Sequence, residues 1–383
     1  MAHRSIFEEV DTAKAAAPKP QGGLIDRATA GARGAIRAWL MALFALVVIM
    51  IAVGGLTRLT DSGLSITEWA PITGAIPPMN AEDWQSEFDR YRQIPEYQLQ
   101  NAGMSLAEFK VIYWWEWGHR QLGRVIGLVW ALGFFGFLVA RKIPAGWTPR
   151  LLLLGGLGGL QGAIGWWMVS SGLTGTMLDV ASYRLATHLG LAFVILGLIL
   201  WYILKLKPSS AELLEMRRSR DHMLSRLAGV VLVIAFAQIL LGALVAGIDA
   251  GRSYTDWPFY AGQMVPPTAF DLAPVWRNFF EEAGLVQFNH RNLGYVLFLV
   301  GIAVWLRARR SANKHIRTAF LAIVLMMSVQ MLLGIMTVLY AAPWPLAILH
   351  QFFAVVLVGL ILNARFQALY PRAQSVRSGA GRA

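Results

Sequence analysis

Apolar residues gather along this chain into eight runs, at about 37–57, 119–140, 150–170, 184–205, 226–248, 290–308, 318–340 and 346–367. A helix of about 20 residues crosses the ~30 Å hydrocarbon core of a bilayer, and runs near that length predict transmembrane helices. The pattern therefore predicts an all-α polytopic membrane protein with eight spans. The polar intervals differ in length. Two outer loops are long, 58–118 and 249–289, and two are short, 171–183 and 341–345.

Composition agrees, with 56% hydrophobic and 15% charged residues. The formal charge of +12 is not a nucleic-acid signature, because its distribution follows topology. Lys and Arg cluster in alternate connections (Arg141 to Arg150, Lys205 to Arg226, Arg307 to Arg317) and at both ends. The long loops carry Glu82, Asp83, Glu87, Asp89, Asp256, Glu281 and Glu282 instead. This asymmetry puts both termini in the cytoplasm, with odd-numbered spans running outward. Residues 1–36 and 369–383 read as cytoplasmic tails, and the run beginning near Trp39 as a retained span and not a cleaved signal.

The chain repeats itself. His119-Arg120-Gln121-Leu122-Gly123 is echoed by His290-Arg291-Asn292-Leu293-Gly294, an offset of 290 − 119 = 171. Gln161-x-x-x-Gly165 in the third span returns as Gln330-x-x-x-Gly334 in the seventh and as Gln238-x-x-x-Gly242 in the fifth. Both long loops place Trp eight residues after Asp, Asp61 to Trp69 and Asp249 to Trp257, and then a Pro-Pro pair. Two four-helix bundles follow, 37–205 with outer loop 58–118 and 226–368 with outer loop 249–289, related by an axis along the membrane normal. The loops are expected to cap the outer face. Gly162, Gly165, Gly242 and Gly334 read as close-packing positions between helices.

Seven histidines are present. His3, His222 and His315 fall in the tail and the cytoplasmic connections, where they read as solvated. His119, His188, His290 and His350 begin the second, fourth, sixth and eighth spans, which all run inward, so the four imidazoles share one depth near the outer face. Two per bundle on facing helices suit an axially ligated haem better than zinc or copper, which want three or four convergent ligands. The absence of Cys excludes thiolate ligation, disulfides and covalent haem attachment. Arg58, Arg120, Arg124 and Arg291 lie where they could meet haem propionates, support the ligands or anchor the membrane interface. The halves differ at one position: Glu116, one turn before His119, is matched by Gln287 before His290. A carboxylate can exchange protons or stabilise developing positive charge where an amide cannot, which places the chemistry in the first half.

Glu116-Trp117-Gly118-His119-Arg120, the stretch from Gly54 to Ser65, His188-Leu189-Gly190-Leu191-Ala192, Asn289-His290-Arg291 and His350-Gln351 together resemble the haem A synthase family, over about residues 40–368. The resemblance implies oxidation of the C8 methyl group of haem O to a formyl group through an alcohol. It implies substrate haem O at His119 and His188, haem b at His290 and His350, and Glu116 as the catalytic carboxylate. Some members carry a Cys pair in the first outer loop; this chain has none, so thiol-based electron input cannot operate here. Partners implied are haem O, haem A and the lipid bilayer; a complex with haem O synthase or oxidase assembly factors, and homo-oligomerisation, stay open. The residues alone also admit a dihaem b-type electron carrier or a haem transporter.

Overall fold

The computed structural model describes residues 24–175 and 177–372; the calls on His3, on the tail before residue 24 and on the tail after residue 372 lie outside them. Eight long helices are present: α1 (Leu24–Leu59), α4 (Leu106–Val139), α5 (Thr148–Val169), α6 (Ser182–Leu206), α8 (His222–Gly247), α10 (Ala283–Ala308), α11 (Lys314–Leu339) and α12 (Trp344–Leu369). Shorter helices fill the connections: α2 (Ala81–Tyr91), α3 (Pro95–Leu99), α7 (Ser210–Arg218) and α9 (Asn278–Glu281). Every expected span is a helix. The largest differences lie at starts. α1 begins at Leu24, inside the expected tail, and α4 begins at Leu106, well before the expected 119.

The α4 extension has a local cause. Ser105 and Glu108 form a capping box, in which each side chain satisfies the other residue's backbone N–H. With 34 residues, α4 is about 51 Å long. That exceeds a ~30 Å hydrocarbon core, so its first turns stand clear of the membrane. On them packs a small outer core of Trp84, Phe88, Tyr91 and Ile94 against Phe109 and Tyr113.

Each half closes as a ring. In the first, α1 packs on α4 and α6, and α5 closes between α4 and α6; in the second, α8 packs on α10 and α12, and α11 closes between those two. α1 thus corresponds to α8 and α6 to α12. The halves meet through α6 on α8, α1 on α12, and α6 on α12, the contacts a two-fold axis along the membrane normal produces. Val355, Val358 and Leu362 of α12 join the first half's core directly. Because lipid is as apolar as leucine, association rests on packing and interhelical hydrogen bonds, each worth about 1 kcal/mol. Trp39 slots over Gly133 and donates to the Val129 carbonyl at 2.9 Å; Trp130 does the same over Gly155 to Leu151 at 3.0 Å. Leu132, Phe135, Val139, Leu299, Leu325 and Leu332 stay exposed on the outside, as lipid-facing residues should.

Candidate functional site

Four helix pairs each present one histidine, and the local construction repeats. Gln161 on α5 donates its amide N–H to the His188 carbonyl on α6 at 3.0 Å. Gln238 on α8 does so to His290 on α10 at 2.9 Å, and Gln330 on α11 to His350 on α12 at 3.0 Å. One turn further along each Gln helix stands a glycine, and the imidazole fills its place. A Cβ on Gly165, Gly242 or Gly334 would lie 2.9, 3.0 or 3.2 Å from Cε1 of the facing ring. These glycines therefore seat the imidazoles, which corrects the expectation that they only let helices approach. Gly162 faces nothing within 4 Å and makes no such contact. His119 on α4 is cradled instead by Gly54 on α1, a residue sequence reasoning recorded only within a motif; a Cβ there would lie 3.4 Å from Nε2.

The two rings of the second half form a pair. His290 and His350 have centroids 6.4 Å apart with planes at 80°. Two metal–imidazole bonds of about 2 Å each, plus the two half-rings, span about that separation. All four histidines keep uncovered surface, and Nδ1 of His350 is buried without a partner. The donor set, the spacing and the glycine seats fit a planar metal macrocycle gripped from both sides. His119 on α4 and His188 on α6 hold the corresponding positions in the first half. His222 and His315 are exposed on the far side, as expected of solvated residues.

Glu116 is 3% exposed and sits one turn before His119. Arg120 Nε donates to its Oε1 at 2.6 Å, while the second oxygen has no side-chain partner among the described residues. Arg120 also donates to the loop carbonyls of Ile66 and Glu68, both at 2.8 Å. Arg124 holds the carbonyls of Ala70 at 2.8 Å and Pro71 at 2.9 Å, and Gln121 holds that of Ala75. The second half repeats the strap: Arg291 donates to Tyr254, Asp256 and Phe259 carbonyls at 3.0–3.1 Å. Gln287 donates to the Tyr254 carbonyl at 3.0 Å and leaves its own oxygen unpartnered, as is Arg291 Nε. The Glu–Arg pair of the first half thus has no counterpart in the second.

The arginines offered as propionate partners are engaged elsewhere. Arg120, Arg124 and Arg291 spend donors on loop carbonyls beside the histidines. Arg58 is bound by three carboxylates, Asp61 at 2.8 Å, Asp249 at 2.9 Å and Asp179 at 3.3 Å. Asp61 and Asp249 are the repeat-related loop residues, both in the left-handed region (φ 48° and 51°), so Arg58 ties the two halves together. Gly55, beside the His119 seat, is packed under Gln351, which follows His350 and donates to the Ile51 carbonyl at 2.6 Å.

Eight spans, two related bundles and two histidine pairs beneath strapped loops define a multi-pass membrane protein whose histidine pairs fit haem. The chain matches the COX15-CtaA family, cytochrome oxidase assembly protein, over residues 37–362, and it belongs to that family. It is 69% identical to the heme A synthase of Dinoroseobacter shibae over 375 residues, 98% of each chain. It is 66% identical to that of Ruegeria pomeroyi over 98% of this chain and 99% of the relative, and 59% identical to that of Paracoccus denitrificans at the same coverage.

Proposed function

We propose that this protein is a haem A synthase of the bacterial inner membrane, which oxidises the C8 methyl group of haem O to a formyl group. The observation that carries the reading is the asymmetry between otherwise repeated halves: a buried carboxylate beside His119, an amide beside His290. Substrate haem O sits between His119 and His188. The balance is –CH3 + H2O → –CHO + 4 H+ + 4 e−. At the oxidation level of water as oxygen donor, two electrons and two protons leave at each of two stages through the alcohol, the electrons passing to an oxidant outside the chain. Arg120 fixes one oxygen of Glu116, so the other is available to accept a proton or to face positive charge at the reacting carbon. Carbonyls strapped by Arg120, Gln121 and Arg124 hold the loop over this site and restrict water.

His290 and His350 would hold haem b, which supplies a one-electron redox centre when bound. Their seats at Gly242 and Gly334 set the ring positions, and Gln238 and Gln330 hold the backbones behind them. With both termini cytoplasmic, the histidines lie near the outer face. The reaction requires an upstream enzyme that makes haem O, and a complex with that enzyme or with oxidase assembly factors would pass substrate and product within the membrane.

The test is extraction of haem from membranes that contain the protein and a supply of haem O. Hydroxylated and formylated products are expected. Unmodified haem O and protohaem alone would favour an electron carrier or a transporter and overturn the reading.

A further inference from the structure

We propose that Gln161, Gln238 and Gln330 are positioning residues that lock three of the four histidines, and that Met50, standing where a fourth glutamine belongs, leaves His119 as the ligand that releases the substrate iron. The inference rests on the reading that the first pair grips haem O, and it deepens that reading.

The four cradles are built alike. Each lies on the helix facing the histidine, with a glycine under the ring and, one turn earlier, the residue that faces the histidine's own turn. The sequence spacing is Gln161/Gly165, Gln238/Gly242 and Gln330/Gly334, and then Met50/Gly54. The residue four after each histidine is small: Gly123, Ala192, Gly294 and Ala354. That small residue lets the facing side chain approach. A Cβ on Gly294 would lie 3.2 Å from Gln238 Nε2, and one on Gly123 would lie 3.6 Å from Met50 Cε. Met50 therefore occupies the same slot as Gln238, but a methyl group cannot donate. Among the described residues no side chain donates to the His119 carbonyl.

The glycine seats point the same way. The three locked rings come within 2.9–3.2 Å of a built Cβ, and His119 only within 3.4 Å, by Nε2 and not by Cε1. So His119 has neither the hydrogen bond nor the tight seat of its counterparts. A resident haem benefits from two fixed ligands. A substrate haem must enter, be oxidised and leave, so one ligand must detach at low cost while the other, His188, keeps the porphyrin in register with Glu116.

Two swaps test this. Met50→Gln supplies the missing donor, with Met50→Leu as the control that fills the slot without donating. Substrate-site haem transfer from detergent-solubilised protein to an apo-haem acceptor is followed optically. Met50→Gln is expected to slow transfer about 5-fold, the worth of one hydrogen bond to a backbone carbonyl, and Met50→Leu to leave it at the wild-type rate. The converse, Gln238→Met, is read on haem b: carbon monoxide should bind the ferrous form where wild type resists it. The proposal is overturned if Met50→Gln, melting as wild type does, releases haem at the wild-type rate. Failure of Gln238→Met to admit carbon monoxide overturns it too, and that arm decides alone if Met50→Gln does not fold. A first-half site that holds no haem in any variant, beside a carbon-monoxide-reactive Gln238→Met, would instead sink the functional reading and leave the cradle standing.

Discussion

At the scale of single residues, the site is a set of imidazoles positioned by what lies behind them. His290 and His350 stand 6.4 Å apart because glycines leave room for the rings and glutamines hold the backbones. Replacing either histidine by Leu should abolish the b-type spectrum and leave substrate haem binding in the first half. Optical spectra and haem stoichiometry check this, and two full haem equivalents in either variant would contradict it. The histidines and Glu116 stood out in the sequence as candidates because ionisable groups in apolar spans are costly. The seats were not. A glycine in a membrane helix reads as packing, and only coordinates tell whether a helix or a ring fills the space. Met50 was illegible for a related reason: in an apolar span a methionine is unremarkable until its slot is seen to hold glutamine three times elsewhere.

At the scale of elements, hydropathy located all eight spans but misplaced their starts, since it registers the membrane and not the helix. α4 continues outward through Glu108, Lys110 and Glu116, whose charges end the apolar run without ending the helix. The Ser105-x-x-Glu108 box marked the true start. The outer elements α2 and α3 enclose Glu96, 2% exposed, with one carboxyl oxygen unpartnered. Burial, and then Asp179 and Asp61 nearby, push its pKa up to about 8 from an ordinary 4.5. The folded state thus holds a proton that the unfolded chain has lost between those values. Its contribution to stability is full below about pH 4.5 and is lost as pH rises to about 8. Glu96→Gln should remove this dependence, giving a variant more stable than wild type at pH 8 and above. Hydrogen exchange across residues 81–101 as a function of pH measures it, and an unchanged profile would contradict it.

At the scale of the whole molecule, duplication supplies two matched histidine pairs, and on the proposed reading divergence gives them different work. The repeat was visible in HRQLG and HRNLG and in the Asp-to-Trp loop spacing, so the two-bundle architecture could be read directly. The tie between the two halves' loops could not, because it depends on one arginine from α1 reaching loop carboxylates of both. Arg58→Ala should leave Asp61, Asp179 and Asp249 facing one another without a cation. It should lower stability by about 1.5–3 kcal/mol, the range for hydrogen bonds to charged groups, as read from melting in detergent. Melting at the wild-type temperature would show that the halves are held by helix packing alone. The central claim is that Glu116 makes the first chamber reactive, and haem analysis of Glu116→Gln tests it most directly. The amide preserves size and can still accept from Arg120, so the variant should fold and bind both haems. Loss of a general acid–base typically costs about 10²–10⁴-fold in rate, so extracted haem should be haem O and protohaem with little or no haem A. Haem A at the wild-type level from that variant would contradict the account.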